Sequence, residues 1–220
     1  YKLKEYSLII LRAVRFATIL NFNIEEKTKH YLTSYSYLLK KLSYQRKKQE
    51  LDKIFSNPNN ERGISLLIDL GIYKSLSLNK LKKITPCPDL IGIWAQLEVD
   101  DIYPFTKNEK DQMTKIRKLL TQDIKDKYNI YKYGLYISTV AYQIKKENKE
   151  ELNKIYKELP IHKQTDIKVN GSDIATILNK EPGNYIKSII TDLEKQIITN
   201  NLENERPILE KYIKDNYQNK

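Results

Sequence analysis

Arg12 and Arg15 stand three residues apart in the stretch EYSLIILRAVRFATILNFNIEEKT, residues 5–28. Their neighbours Leu11, Val14, Phe16 and Ile19 are apolar and fall at helical spacing. A guanidinium presents a planar fork of donors that matches a phosphate or a carboxylate. Two readings follow for cations on such a helix. Either they line a cleft and meet phosphate or an acidic partner, or they snorkel to solvent and bridge to Glu5 or another acid.

Three other places could bind anions. Arg46, Lys47 and Lys48 form a cluster on one helix. Lys145 and Lys146 precede the polar connector PIHKQTDIKVNG and Lys163 and Lys168 lie within it, so that the four flank the junction near residue 160. In KEPGNYIKS, Pro182 and Gly183 predict a tight turn and Asn184 a helix cap. Gly183 and Asn184 would then present free backbone N–H groups, with Lys187 one turn in. Each has a plainer reading as solvated lysines or a capped turn. Glu98 and Asp100 lie two apart in EVDD, without an upstream Gly-Ser motif, and read as a solvated helix end and not a metal pair. The single cysteine, Cys87, excludes an internal disulfide and a multi-cysteine metal site. His30 and His162 make no metal motif. Both, with Trp94 and Cys87, are expected to be structural. Many of the seventeen tyrosines cluster at Tyr31, Tyr35 and Tyr37 and again at Tyr128, Tyr131, Tyr133, Tyr136 and Tyr142. Base stacking is one use for them, but the helical spacing favours packing.

The elements that must position these groups are helical almost throughout. Asn23 is the expected cap of a helix NIEEKTKHYLTSYSYLLKKL, and Ser43 begins the next, which stops at SNPNN. Gly71 closes NERGISLLIDLG, Thr106 and Glu109 form a capping box, and DKYNIYKYGLYISTVAYQIKK reads as one long helix. TDIKV could extend but has no partner strand. Six glycines and seven prolines in 220 residues argue against a loop-rich β fold. The fold class is therefore all-α, expected as an elongated array of helices in three parts: residues 1–84, 85–160 and 161–220. The net charge is +11. Residues 1–60 carry twelve Lys and Arg against five Asp and Glu, so most of the excess lies there. Such a bias points to a polyanion, although AT-rich coding also inflates lysine. No apolar run is long enough to span a bilayer and no secretory signal is visible, which implies a cytoplasmic location. The chain starts at Tyr1 and its one methionine is Met113, so a fragment of something longer is expected.

Four blocks, in order, resemble the class II bacterial tRNA nucleotidyltransferases, the CCA-adding enzymes of Bacillus type and their poly(A) polymerase relatives. LRAVRFATILNFNIEEKT is similar to the family's neck, which reads E-D-x-L-R-I-L-R-A-x-R-F and on to L-x-F-x-I-x-x-x-T. LDKIFSNPNNERGISLLIDLGI matches an E-L-x-K-I-L, loop, E-R-G-L-x-L-L-x-x-L-G-L segment. IYKYGLYISTVAYQI is similar to a body helix, and LPIHKQTDIKVNGSDIATILNKEPGNYIKSIITDLEKQI to the tail, which carries P-G-P-W. The resemblance implies a neck over residues 1–84, a body over 85–160 and a tail over 161–220. The α/β head, with its D-x-D metal pair, is absent.

In the family the neck reads incoming CTP or ATP with the Asp and Arg of E-D-x-x-R. Glu5 is kept here, but Tyr6 and Ile9 occupy the other two positions, a degenerate template. The resemblance also favours the cleft-lining reading of Arg12 and Arg15. It implies tRNA as partner, held by its acceptor and T arms, and CTP or ATP only with a head. No catalytic residue, metal ligand or cofactor is expected in this chain, with Mg2+ required only by the head. The alternative is a non-catalytic helical RNA-binding or ribosome-associated protein from the same stock, favoured by the lost template positions.

Overall fold

The structure is a computed structural model that describes residues 2–218, with side chains from Ser7 onward. Among these residues every regular element is a helix and none is a strand, so the chain is all-α. None of the helices is long and apolar enough to cross a membrane. The α-helices are α1 (Lys2–Ile19), α2 (Glu26–Ser34), α3 (Tyr44–Phe55), α4 (Asn60–Asp69), α5 (Ile72–Ser75), α6 (Leu90–Leu97), α7 (Lys107–Leu120), α8 (Lys127–Lys145), α9 (Lys149–Lys157), α10 (Gly171–Leu178), α11 (Tyr185–Ile198) and α12 (Arg206–Tyr217). Short 3-10 helices occupy Ser36–Lys41, Leu81–Lys83 and Gln164–Asp166.

Contacts group the chain into two compact units, not the three expected: Tyr1–Thr121 with Thr139–Glu147, and Gln122–Ser138 with Asn148–Lys220. The expected break at 84 is absent for a physical reason. Asn60, at the start of α4 and 5% exposed, donates to the carbonyls of Phe55 at 2.9 Å and of Cys87 at 2.8 Å. Trp94 of α6 is fully buried, packs edge-on against Phe55 and Phe105, and donates from Nε1 to Asp52 of α3 at 2.7 Å. Tyr103 donates to the Leu76 carbonyl, and burial pushes its phenol pKa up. Residues 85–105 are thus part of the core that α3 and α4 build.

Within this first unit α1 is the central element, packing on α3, on α4 and on the Ser36–Lys41 helix. Its buried side carries Ile10, Leu11, Val14, Ala17 and Thr18. Gly63 lets α4 approach, because a Cβ there would meet Ile54 at 2.4 Å and the Thr18 hydroxyl at 2.8 Å. The helix expected over residues 24–42 divides instead at Tyr35. There the backbone leaves helical geometry (φ −102°, ψ 6°) and continues as the 3-10 helix. Asn23 does not cap α2. Glu25 takes the N-cap position, without a side-chain bond, and Asn23 accepts from Arg62. The capping box of Thr106 and Glu109 and the left-handed Gly71 after α4 (φ 65°) form as the local sequence predicts. The long helix α8 is interrupted at Gly134, whose φ of 79° and ψ of 166° are open essentially only to glycine.

The second unit packs α10 on α11 and α12, with Ile174, Leu178, Ile189, Leu193, Ile197, Leu209 and Ile213 buried. Asn170 caps α10 in a capping box with Asp173. Asp192 of α11 accepts from Tyr212 at 2.8 Å and Tyr217 at 2.7 Å, tying α12 to α11. Burial alone would raise the Asp192 carboxyl. The hydrogen bonds from Tyr217, Tyr212 and Gln196 outweigh it and hold the group below the usual carboxylate range.

Two predictions follow from this packing. Asn60→Ala strands two buried carbonyls and should cost about 1–3 kcal/mol, read as a lowered urea midpoint at unchanged slope. For Asp192 the folded state binds the proton more weakly than the unfolded chain. Its contribution is therefore present above about pH 4 and lost as the pH falls through the depressed folded value. Asp192→Asn should be less stable than wild type at pH 7, with the gap closing towards pH 3 in thermal melts.

Candidate nucleic-acid interface

The two arginines of α1 part company. Arg15 turns to α3, where Nη1 lies 2.8 Å from Oε2 of Glu50, a residue only 4% exposed. Its guanidinium also lies 4.5 Å from the centre of the Phe16 ring. Lys53 adds a weaker contact to Glu50 at 3.3 Å. Arg15 is therefore engaged within the protein, whereas Arg12 is exposed and in no ion pair among the described residues. The same open side of α1 shows Ile9, Phe16 and Leu20, each about half exposed. Ile9 offers no hydrogen-bonding group there. Glu5 and Tyr6 lie outside the described side chains.

A third arginine, not singled out from the sequence, organises this end of α1. Arg62 of α4 donates from Nε to the Ala17 carbonyl at 3.3 Å, and from Nη2 to the Phe22 carbonyl and to Asn23 at 2.9 Å. Asn59 reaches the Thr18 carbonyl at 3.4 Å. Helix C-termini leave carbonyls without partners, and a cation with several donors satisfies them. The E-R-G run of residues 61–63 signals the site: the Arg closes α1 and the Gly lets α4 reach it.

The basic cluster on α3 is only partly available to a polyanion. Arg46 is exposed. Lys47 is not; it is 2% exposed, with Nζ 4.1 Å from the centre of the Tyr44 ring, and burial pushes its pKa below the ordinary value. Lys48 is half-buried and paired to Asp52 at 2.9 Å and to Glu109 at 3.5 Å. Lys47 thus leaves the set of phosphate-binding candidates, because its position on the helix faces the core. By contrast Lys145, Lys146, Lys163, Lys168 and Lys187 are exposed and none is in an ion pair among the described residues. Lys145 and Lys146 belong to the first unit and the other three to the second.

Before α11 the chain bends at Pro182, and the Gly183 carbonyl accepts from the Ile186 N–H at 3.1 Å. Asn184 sits at the cap position with helical angles (φ −60°, ψ −23°) and no side-chain cap bond. Gly183 and Asn184 are exposed, and Tyr185 donates to the Lys180 carbonyl at 3.3 Å. Glu98 pairs with Lys80, while Asp100 takes a two-pronged bond from Arg117 at 3.1 and 2.6 Å. The pair is thus engaged with cations, and among the described residues no cluster of His, Cys, Asp or Glu could hold a metal. His162 packs edge-on against Tyr156, and its Nε2 is 2.8 Å from that residue's carbonyl oxygen. Cys87 is buried, and burial pushes its thiol up to about 11.

The tyrosines also divide. Tyr142 is buried, and Tyr131 donates to Glu194 at 2.7 Å, so these pack as the spacing implies. Tyr31, Tyr35 and Tyr37 do not. They are 44%, 41% and 54% exposed.

Residues 102–213, just over half of the chain, match the family model for domain 2 of tRNA nucleotidyltransferases. The chain belongs to the tRNA nucleotidyltransferase family. A second model, the RNA and SrmB-binding site of polymerase A, matches residues 21–79. Curated family members similar to the chain include the CC-adding tRNA nucleotidyltransferase of Halalkalibacterium halodurans, 26% identical over 97% of this chain and 64% of that protein. The CCA-adding enzyme of Ligilactobacillus salivarius is 29% identical over 93% of this chain and 58% of its own length. The chain spans about three fifths of the length of these relatives. Among solved structures, the fold is similar to that of the Bacillus stearothermophilus CCA-adding enzyme in complex with CTP. The TM-score is 0.82 at 19% identity, over 98% of this chain and 62% of that one. The Thermotoga maritima CCA-adding enzyme complexed with tRNA gives 0.65 at 19% identity, over 94% and 60%.

The different surroundings of Arg12 and Arg15 are separable by experiment. Arg15→Met leaves the Glu50 carboxylate with the longer Lys53 contact alone and should cost about 1.5–3 kcal/mol in urea unfolding. Arg12→Met should stay within about 0.5 kcal/mol of wild type in the same measurement.

Proposed function

We propose that this chain is the RNA-holding portion of a tRNA nucleotidyltransferase, engaging the acceptor and T arms of tRNA while bond formation to CTP or ATP belongs to a head of the kind its longer relatives have room for. The observation that carries the reading is the pattern of exposed, unpaired cations on a fold of this family. Arg12, Arg46, Lys145, Lys146, Lys163, Lys168 and Lys187 all face solvent. Paired RNA offers the same backbone whatever its sequence, so exposed lysines suffice to bind it by charge and shape. Gly183 and Asn184 add backbone donors before α11, beside Lys187. Mg2+ has no place in this scheme outside the head, where two metals would serve phosphoryl transfer.

A second reading is favoured by Ile9. A base-reading template needs an acceptor and a charged donor, and an exposed isoleucine at one of its positions supplies neither. On that reading the chain binds RNA without selecting a nucleotide. Equilibrium dialysis separates the two readings. Base-selective retention of CTP or ATP by the chain supports a template, and equal, weak retention of all four nucleotides supports a binding module.

The common part is tested by filter binding of a minihelix of acceptor and T arms across a salt series. Affinity should fall steeply with salt. Lys145→Gln with Lys146→Gln should reduce the slope of log K against log salt by about 0.7–0.9 for each phosphate no longer neutralised. A minihelix that fails to bind at low salt overturns the proposal.

A further inference from the structure

Tyr31, Tyr35 and Tyr37 form an exposed ladder whose ring contacts are with one another. The Tyr31 and Tyr35 centroids lie 4.5 Å apart at 41°, and those of Tyr35 and Tyr37 lie 6.4 Å apart at 34°. Sequence and backbone together set this up. Tyr31 lies in the last turn of α2 and Tyr35, four residues on, is its C-cap, and the change to 3-10 geometry after Tyr35 carries Tyr37 to the same row. Leu32, Leu38 and Leu39 take the buried side, so the rings are left outside. Several other tyrosines have their hydroxyls tied to protein, as Tyr103 is to Leu76 and Tyr212 to Asp192. Three neighbouring rings at 41–54% exposure are a large apolar area to leave in water without a use.

We infer that this ladder is a stacking platform for unpaired bases of a single-stranded RNA. Charge chooses the occupant. Lys40 and Lys41 lie just beyond the ladder and are exposed, Lys27 is exposed before it while Lys29 is paired to Glu26, and the first sixty residues carry most of the chain's positive excess. An apolar protein partner gains little from rings set among lysines, whereas an RNA strand presents π-faces to the rings and phosphates to the cations. A duplex arm keeps its bases stacked on each other and has none to offer. The ladder also lies within residues 21–79, the stretch that matches the RNA-binding-site model. Stacking reads no base edge, so the platform tolerates any sequence.

The inference goes beyond the arm-holding proposal and is tested on a strand without arms, so either can fail alone. The probe is a short 5′-labelled RNA without self-complementarity, followed by fluorescence anisotropy with the full chain. Tyr35→Ala with Tyr37→Ala should weaken binding about tenfold or more, and Tyr35→Phe with Tyr37→Phe should stay within about twofold of wild type. The rings are exposed, so circular dichroism melts of all variants should coincide. The minihelix should bind the Ala and wild-type chains alike. An Ala variant that holds the single strand as well as wild type overturns the inference. So does one that loses strand and minihelix equally, or a wild-type dimer in sedimentation that dissolves in the Ala variant, which would make the ladder a contact between copies.

Discussion

Helix α1 must be buried along one side and open along the other, and the first unit is arranged around that requirement. Its apolar side supplies Leu11 and Val14 to the core, while α3 and α4 close over it. The approach is close enough that the α4 position nearest Thr18 has to be glycine. A charge at the seam would be costly if left alone. Arg15 and Glu50 meet there, and the carboxylate is also approached by Lys53. The end of the helix is closed by Arg62, so one segment, residues 59–63, both caps α1 and permits its packing.

This arrangement separates roles that the sequence presents as alike. Arg12 and Arg15 belong to one run, yet one is a solvent-facing cation and the other a strut. Lys47 and Arg46 are adjacent, yet one is core and the other surface. The phase of the helix decides both cases. Lys47, Glu50, Leu51 and Ile54 follow one another at helical steps and share the buried face. The cost of burying that ammonium is lowered by the Tyr44 ring beneath it. The phase is readable in the sequence, but a run of adjacent positive residues looks like one patch whichever way each side chain turns.

What was legible is what is local. The Thr106–Glu109 box, the Ser43 cap and the left-handed Gly71 depend on residues a few positions apart, and each forms where the spacing puts it. Asn23 and Asn184 have equally good cap chemistry and do not cap. The first is recruited by Arg62 from α4, and the second sits in helical geometry at the end of a bend. The exposure of the Tyr31–Tyr35–Tyr37 row was hidden for a related reason. Spacing tells that rings share a face, but the break at Tyr35 decides which way that face looks. The overall all-α class needed none of this, because helical periodicity runs through nearly the whole chain.

Gly134 has a bearing on the chain's modularity. It lies in a helix whose two ends belong to different units: residues up to Ser138 go with the second, and Thr139–Glu147 return to the first. Each unit is therefore stitched from separated stretches of polypeptide. No single cleavage releases either one whole. Ending the chain at Thr121 would remove Val140 from beside Gly92 and leave a gap in the first unit's interior.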